Sequence, residues 1–356
     1  MLRTILILAS VFAVAGSALA DQISFNNGDR LSGTIVRLDG DSLEMKSEVA
    51  GDIKVPWKTI VQVSSSQPLY VTLNDDQVVV GVVSTSGDRM EIETKETGKV
   101  TVSREAIRSI RSQQEQAAYQ AQIDRLRNPK LSDFWSGFAD AGLSLTKGNS
   151  DTTTFNVGMK AARTTSRDKI SVYFTSLYAK NNAVGRSITT ADTIFGGTRY
   201  DFNVTDRLFA FGLTDLEYNK LQNLDLRLVL GGGLGLHAKK TERTLLDVFA
   251  GASYNQEFFS TDLTRRSAEI LLGEELSHKV SGATTISERF VLYPNLSETG
   301  EYRFTFDSSA ATKLREWLAW QVSFSDRFIS NPIPGIKKND VLLTTGIRLT
   351  FGGKKL

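Results

Sequence analysis

The chain has 356 residues, is 40% hydrophobic and 23% charged, and its 42 basic and 40 acidic side chains leave a net charge of +2. Near-neutrality excludes a polyanion-coating protein, since non-specific nucleic-acid affinity rests on many Lys/Arg–phosphate contacts, and the hydrophobic content excludes a wholly disordered chain. With no cysteine and only His237 and His278, disulfide scaffolds, thiolate metal sites, iron–sulfur clusters and thiol catalysis are excluded, and His-based metal sites and triads have almost no material.

Residues 1–20 read as a secretory signal peptide. Met1-Leu2-Arg3 is the positive n-region, Thr4 to Gly16 the apolar h-region, and Ala18-Leu19-Ala20 a small-x-small cleavage site, so the mature chain is expected to begin at Asp21. The apolar run falls short of the ~20 residues of a spanning helix. No stop-transfer charges follow it, and no later stretch reaches that length. An exported protein without spanning helices is the expectation.

Residues 21–66 and 67–112 are two copies of one unit. Asn27-Gly28-Asp29, Leu31-Ser32-Gly33-Thr34-Ile35 matches Asp75-Asp76-Gln77, Val79-Val80-Gly81-Val82-Val83; Gly51-Asp52-Ile53-Lys54-Val55 matches Gly98-Lys99-Val100-Thr101-Val102. The offset is 48 at Gly33/Gly81 and 47 at Gly51/Gly98, so one residue is lost between them. Period-2 alternation with turns at Asn27-Gly28, Asp39-Gly40 and Gly87-Asp88 predicts about five short antiparallel strands per copy, a small SH3-like or Sm-like barrel. The region has no aromatic–basic interleaving, which disfavours RNA. Trp57 reads as a core or rim aromatic rather than a ligand-stacking residue.

Residues 113–131 form a predicted helical linker, rich in Gln, Ala, Glu and Arg and ended by Asn128-Pro129. From there to residue 356 about twelve segments of alternating polarity follow, as in Trp320-Gln321-Val322-Ser323-Phe324-Ser325. Their expected apolar faces are Ile170, Val172 and Phe174; Phe209, Phe211 and Leu213; Leu226, Leu228 and Leu230; Leu246, Val248 and Ala250; with Phe304 and Val322 later. A soluble sandwich would hide such a face and a membrane barrel would turn it to lipid. Strand length favours the barrel, since a spanning strand needs about 9–11 residues. So does charge on the opposite face, where Arg199, Asp225, Arg227, Asp247, Glu269, Arg303, Asp307 and Arg348 are the expected lumen-lining residues. Tyr178, Tyr218, Tyr254, Tyr293 and Trp317 are expected at the interfaces.

The predicted fold class is therefore all-β: a transmembrane antiparallel barrel of about 12 strands over residues 132–356, preceded by the two small β repeats. An even strand count places both barrel ends, and with them the N-terminal repeats, in the periplasm. Periplasmic turns are expected near Thr165-Ser166-Arg167, Val204-Thr205-Asp206, Lys240-Thr241-Glu242, Val280-Ser281-Gly282 and Lys313-Leu314-Arg315. Outward loops are expected near Gly148-Asn149, Ala183-Val184-Gly185, Leu221-Gln222, Thr261-Asp262, Glu298-Thr299-Gly300 and Asn331 to Gly335.

Asn27-Gly28-Asp29-Arg30-Leu31-Ser32-Gly33, Gly51 through Trp57, and Ser136-Gly137-Phe138 through Leu143 to Ser150 give the chain its family likeness: it resembles the salt-induced outer-membrane proteins of Gram-negative bacteria. The resemblance implies an outer-membrane barrel and brings no catalytic, cofactor or metal residues. Barrels of that membrane end on a polar-x-Gly-x-x-apolar-x-aromatic assembly signal, which Thr344, Gly346, Leu349 and Phe351 resemble. The tail Gly352-Gly353-Lys354-Lys355-Leu356 departs from it by running past the aromatic.

The expected partners are the lipid bilayer, the outer-membrane assembly machinery, and a periplasmic protein or peptidoglycan; nucleic acid is not among them, and no cofactor is expected. His237 and His278 sit near the expected periplasmic rim and read as rim histidines. Glu274-Glu275 cannot share a proton, because strand neighbours face opposite ways. Gly231-Gly232-Gly233 lacks the Lys-Ser/Thr and helix of a phosphate loop and reads as close strand packing. The functional expectation is a non-enzymatic barrel, a small channel or solute pathway. The alternatives are a structural or stress-response anchor and, least favoured, a hydrolase.

Overall fold

The computed structural model describes residues 20–146, 152–181 and 187–352. The expected leader with Ala18, and the loops at Gly148-Asn149 and Ala183-Val184-Gly185, lie outside the described residues. The chain divides into two units, Met1–Asn128 and Pro129–Leu356.

In the first unit the first copy forms β1 (Asp21–Phe25), β2 (Arg30–Asp39), β3 (Ser42–Ser47), β4 (Gly51–Pro56) and β5 (Ile60–Ser64). The second forms β6 (Leu69–Leu73), β7 (Val78–Ser86), β8 (Arg89–Thr94), β9 (Gly98–Ser103) and β10 (Ile107–Arg111). Pairing inside each copy is the same: first with second and fifth, second with third, third with fourth.

The expected five strands per copy are there, but the copies share their barrel. β5 pairs with β7 and β10 with β2, so β1-β5-β7-β6-β10-β2 closes a single ring with the hairpins β3–β4 and β8–β9 beside it. The reason is core size: one copy of some 45 residues buries too little apolar surface to stand alone. Ile23, Ile35, Leu43 and Met45 of the first copy pack in one cluster with Val71, Val83, Met90 and Ile92 of the second, all at 1% exposure or less.

The change of offset also has a structural cause. β2 carries a bulge between Ile35 and Arg37 where it pairs with β3, while β7 pairs with β8 without one; the extra residue of the first copy is the bulged one. Gly33 and Gly81 are demanded by the crossing that follows, because a Cβ at either would run into the backbone carbonyl of Lys46 or Glu93. Trp57 and its counterpart in the second copy, Arg104, meet each other. The guanidinium lies 4.4 Å from the ring centroid and donates to the carbonyls of Trp57 and Ile60. Burial pushes the Arg104 pKa down from its ordinary value. Trp57 is thus covered from within the unit, as a rim aromatic.

The predicted linker is α1 (Gln113–Arg127), capped by the Ser112 hydroxyl accepting from the Glu115 amide. It buries no residue. Among the described residues no helix is long and apolar enough to cross a membrane.

The second unit is β11 (Trp135–Thr146), β12 (Thr152–Thr164), β13 (Asp168–Asn181), β14 (Ile188–Asn203), β15 (Leu208–Asn219), β16 (Leu224–Lys240), β17 (Thr244–Phe259), β18 (Thr264–Lys279), β19 (Thr284–Pro294), β20 (Tyr302–Arg315), β21 (Leu318–Ile329) and β22 (Asn339–Phe351). Every strand pairs antiparallel with the next, and β22 returns to β11 from Gly137↔Phe351 to Ala141↔Ile347, closing a twelve-stranded barrel. Its short turns fall where expected, except that β20 absorbs Lys313 to Arg315. In the glycine run, a Cβ at Gly233 would strike the Ala250 carbonyl, so the third glycine is required by strand approach.

Outside, Leu226, Leu230, Leu234, Ile270, Leu272, Trp320, Leu343, Ile347 and Leu349 stand exposed. Two sequence expectations are corrected. Phe209, Phe211 and Leu213 face inward and are buried, because Asp215 and Glu217 share their face of β15 and cannot be given to lipid; Ala210, Gly212, Thr214 and Leu216 face out instead. Tyr293 is no interface residue either: it is buried inside, with the Arg303 guanidinium 3.6 Å from its ring centroid. Alternation places three carboxylates, Glu274, Glu288 and Asp326, on the outer face, opposite in phase to the inward Glu275, Arg289 and Arg327.

Candidate functional site

The chemistry of the second unit is concentrated on the inner faces of its strands, where side chains from strands not adjacent in the sheet reach one another. Lys160 on β12 meets Glu275 on β18 at 2.8 Å, and the Tyr173 hydroxyl of β13 donates to Asp215 of β15. Only a path through the ring interior joins such strands.

The expected charged residues fall into this interior with one exception. Arg227 donates to Glu257 at 2.8 Å and to Glu217. Arg303 grips Glu269 through two bonds of 2.9 and 2.7 Å. Arg348 grips Asp140 in the same forked way at 2.8 and 3.0 Å and covers the Phe138 ring. Asp307 receives both Nη2 bonds of Arg327, at 2.8 and 2.9 Å, and a further one from Ser325. Arg199 donates to Asp201 at 2.6 Å and lies over Phe211 and Phe249. Asp247 pairs with His237 at 2.7 Å.

Asp225 is the exception. A bulge between Leu224 and Leu226 shifts the phase of β16 there and leaves Asp225 exposed, while Leu224 is buried against Phe259 and Ile333. Asp140, Glu217, Glu257 and Arg327 are partners that alternation could have found, since each occupies an inward position on its strand. Lys160 and Glu275 could not be matched from sequence, because their pairing crosses the lumen.

The interior is filled unevenly. From β15 to β19 it holds a buried apolar cluster of Phe209, Phe211, Leu213, Val229, Phe249, Leu271, Val291 and Tyr293. Beside it Asp215, Glu217, Arg227, Arg289 and Arg303 line a polar cavity of about 30 Å³, room enough for water. The arc of β11, β12, β21 and β22 presents small inward residues instead. Asn156, Gly158, Ser323, Thr344 and Gly346 there are only partly buried although the ring around them is closed.

The histidines have partners. His237 Nδ1 faces Asp247, but its Nε2 lies 3.3 Å from the Asn203 side-chain oxygen, where a nucleophile would have to stand. The inward phase of β16 and β17 brings Asp247 directly opposite His237. His278 Nδ1 is 2.9 Å from the Thr244 hydroxyl, its cross-strand neighbour. Among the described residues no third, orienting group is bonded to this base and hydroxyl, as a nucleophilic site needs. Glu274 and Glu275 lie on opposite faces, Glu275 bonded to Lys160 within. No group of side chains suited to a metal ion occurs among the described residues.

In the expected assembly motif, Leu349 and Phe351 face outward and are exposed, and the Thr344 hydroxyl meets Ser323 at 2.6 Å. A Cβ at Gly346 would strike the Ala141 carbonyl, so the glycine lets β22 lie close to β11.

A closed antiparallel ring with an apolar outside and an ionic inside is an outer-membrane β-barrel: hydrocarbon accepts no open strand edge, and water accepts no such apolar exterior. A family described as "Protein of unknown function, DUF481" matches residues 139–351. No curated protein matches the sequence. Similar solved structures include a NanC porin (8% identity, TM-score 0.37, covering 62% of this chain and 100% of that one). Another is the translocator domain of the autotransporter NalP from Neisseria meningitidis (13% identity, TM-score 0.34, 66% and 96%). A third is the toluene transporter TodX of Pseudomonas putida (9% identity, TM-score 0.27, 64% and 91%).

Proposed function

Since the chain belongs to the DUF481 family, which hands down no activity, we propose from its own geometry that it is a narrow solute pathway of the outer membrane. In this reading the first unit lies in the periplasm, and Arg199, Arg227, Asp247, Glu269, Arg303, Asp307 and Arg348 line the lumen. Thr344, Gly346, Leu349 and Phe351 form the signal read by the assembly machinery.

One observation carries the reading: small, only partly buried residues on the β11–β12 and β21–β22 arc inside a closed ring. Side chains of that size leave a water-filled crescent beside the packed β15–β19 side. A twelve-stranded ring is wider than the eight-stranded barrels whose side chains fill them and narrower than a porin. Small unitary currents across a planar bilayer are expected. Gly158→Trp should at least halve them: a Cβ at Gly158 meets only ordinary contacts, the nearest the Asp140 carboxylate at 3.6 Å. Met159→Trp, on the outer face, should leave them unchanged. A folded barrel that never conducts overturns the pathway.

A second reading, an anchor that docks a periplasmic protein or peptidoglycan, draws on the first unit. There, among the described residues, β4 and β9 each pair on one side only, leaving two related edges for an added strand.

A further inference from the structure

Leu224 and Phe259 form the last rung of β16 and β17, at the mouth that the β15–β16, β17–β18, β19–β20 and β21–β22 loops surround. An inward apolar pair at the rim of an aqueous lumen would face water. Leu224 is nevertheless 0% exposed, because Ile333 seats on it and on Phe259, with Ile336 packed alongside. Both isoleucines belong to the loop 330–338 between β21 and β22. In the ring of twelve, β16 and β22 stand six strands apart either way round, so this contact spans the mouth.

The crossing is tied at further points. From the far side, the turn Lys220–Gln222 sends the Gln222 amide to the Asp340 carboxylate near the start of β22, at 2.5 Å. Asn219 donates to the same oxygen at 3.3 Å. Arg265 of β18 donates to the Asn331 carbonyl at 2.9 Å. Within the loop the Ile336 amide donates to the Ile333 carbonyl at 3.1 Å, and Gly335 takes a φ of +88°. Pro334 and Gly335 are the central residues that a type II turn asks for, and the turn carries the two isoleucines at its ends. The base is closed by the Ile329 amide on the Lys338 carbonyl at 2.8 Å. Among the described residues no backbone hydrogen bond joins the loop to β16 or β17. Side chains alone hold its far end, and segments held in this way open locally without unfolding the rest.

We propose that residues 330–338 are a lid across this mouth, latched by Ile333 in the Leu224–Phe259 seat, and that lifting the latch admits solute to the lumen. The inference rests on the solute pathway proposed above and adds its regulation. In the orientation proposed there, the lid faces the cell exterior. Seated and lifted lids are two states of one loop, and any solute or surface that favours the lifted one raises entry by shifting that balance.

The chain has no cysteine, so a single introduced thiol reports on the seat without requiring current. In the full chain folded in detergent, Leu224→Cys should react completely with a water-soluble maleimide, but roughly tenfold or more slowly than Asp225→Cys, whose site is exposed. Ile333→Ser should bring the Leu224→Cys rate to within a few-fold of the Asp225→Cys rate and leave the latter unchanged. Unheated gel mobility establishes that each variant is folded. A thiol at 224 that reacts as fast as the one at 225 with Ile333 in place overturns the latch. One that never reacts in the folded barrel makes the loop a fixed plug and overturns the lid. In a planar bilayer, Leu224→Cys/Ile333→Cys joined by a short, reducible thiol crosslinker should carry at most half the current it carries after reduction. Equal currents before and after reduction would overturn control of entry by the lid. A barrel that passes the labelling test and never conducts would sink the pathway and leave the lid standing.

Discussion

Both units of this protein are antiparallel rings built on alternation of period two, yet they spend it in opposite directions. In the first unit the apolar phase points inward, to Ile23, Ile35, Val71 and Val83, and the polar phase meets water. In the second the apolar phase points outward over most strands, and the inner phase carries paired ions. The difference teaches that alternation specifies two faces and not which of them is inside. What assigns the sides is ring size and the cost of misplaced charge. Six short strands enclose just enough room for an aliphatic core, whereas twelve long ones enclose more volume than their inward side chains fill. Charge then settles phase strand by strand, as Asp215 and Glu217 do in β15.

The comparison can be broken at several points. The largest effect is expected at the buried ion pairs of the larger ring. Arg303→Ala strands Glu269 without its forked partner and should cost about 3–5 kcal/mol in unfolding titrations, whereas Arg303→Met/Glu269→Leu should recover most of it. If the single and double variants are equally unstable, the pair is not what holds that level of the lumen.

In the smaller ring Ile35→Ala should cost roughly 2–5 kcal/mol. Because the copies share one core, the loss should appear as one cooperative transition of residues 21–112 followed by hydrogen exchange, with amides of the second copy losing protection too. Protection lost in the first copy alone would mean two independent cores.

Phase itself is tested by Val322→Arg, expected to cost about 2–4 kcal/mol near the midplane, against the neighbouring inward Ser323→Arg, expected to cost much less. Equal losses of the compact unheated gel species would argue that β21 does not face lipid as drawn.

The smallest effect is electrostatic and confined to the first unit. Hydrogen bonds from Arg37, then from Lys54, hold the Glu44 carboxyl below its usual range. A depressed carboxylate stabilises the fold above its unfolded pKa, and that contribution fades as pH falls through the folded value. Glu44→Gln should thus flatten the acid limb of the stability profile below about pH 4.5 and change little at neutrality; an unchanged acid limb would show that the contact is solvent-screened.

Much of this was legible from residues alone. The 47–48 residue repeat, the helix opening after Ser112, twelve strands and most of their turns follow from local chemistry, because alternation, caps and Gly/Asn turns act over a few neighbours. So did most of the charged interior: a strand with Arg227 or Arg303 on one phase and leucines or phenylalanines on the other permits one orientation in lipid. Asp225 escaped because a single bulge reverses phase without leaving a mark in composition. Tyr293 escaped because an aromatic at a strand end suits the interface and the lumen equally until Arg303 is placed over it.

The sequence by itself determined where strands begin and end, that the protein is built of two repeats and a barrel, and which strand faces are polar. Only the tertiary structure decided that the repeats close one ring together, that Phe209 and Phe211 plug the inside, and that Lys160 and Lys169 converge on Glu275 from across the lumen. The reason is one of range. Period and capping are set within a few residues, whereas the repeats' shared ring joins positions such as Asp39 and Ser109, and barrel closure and cross-lumen pairing join positions more than a hundred residues apart; those meet only when each ring is complete.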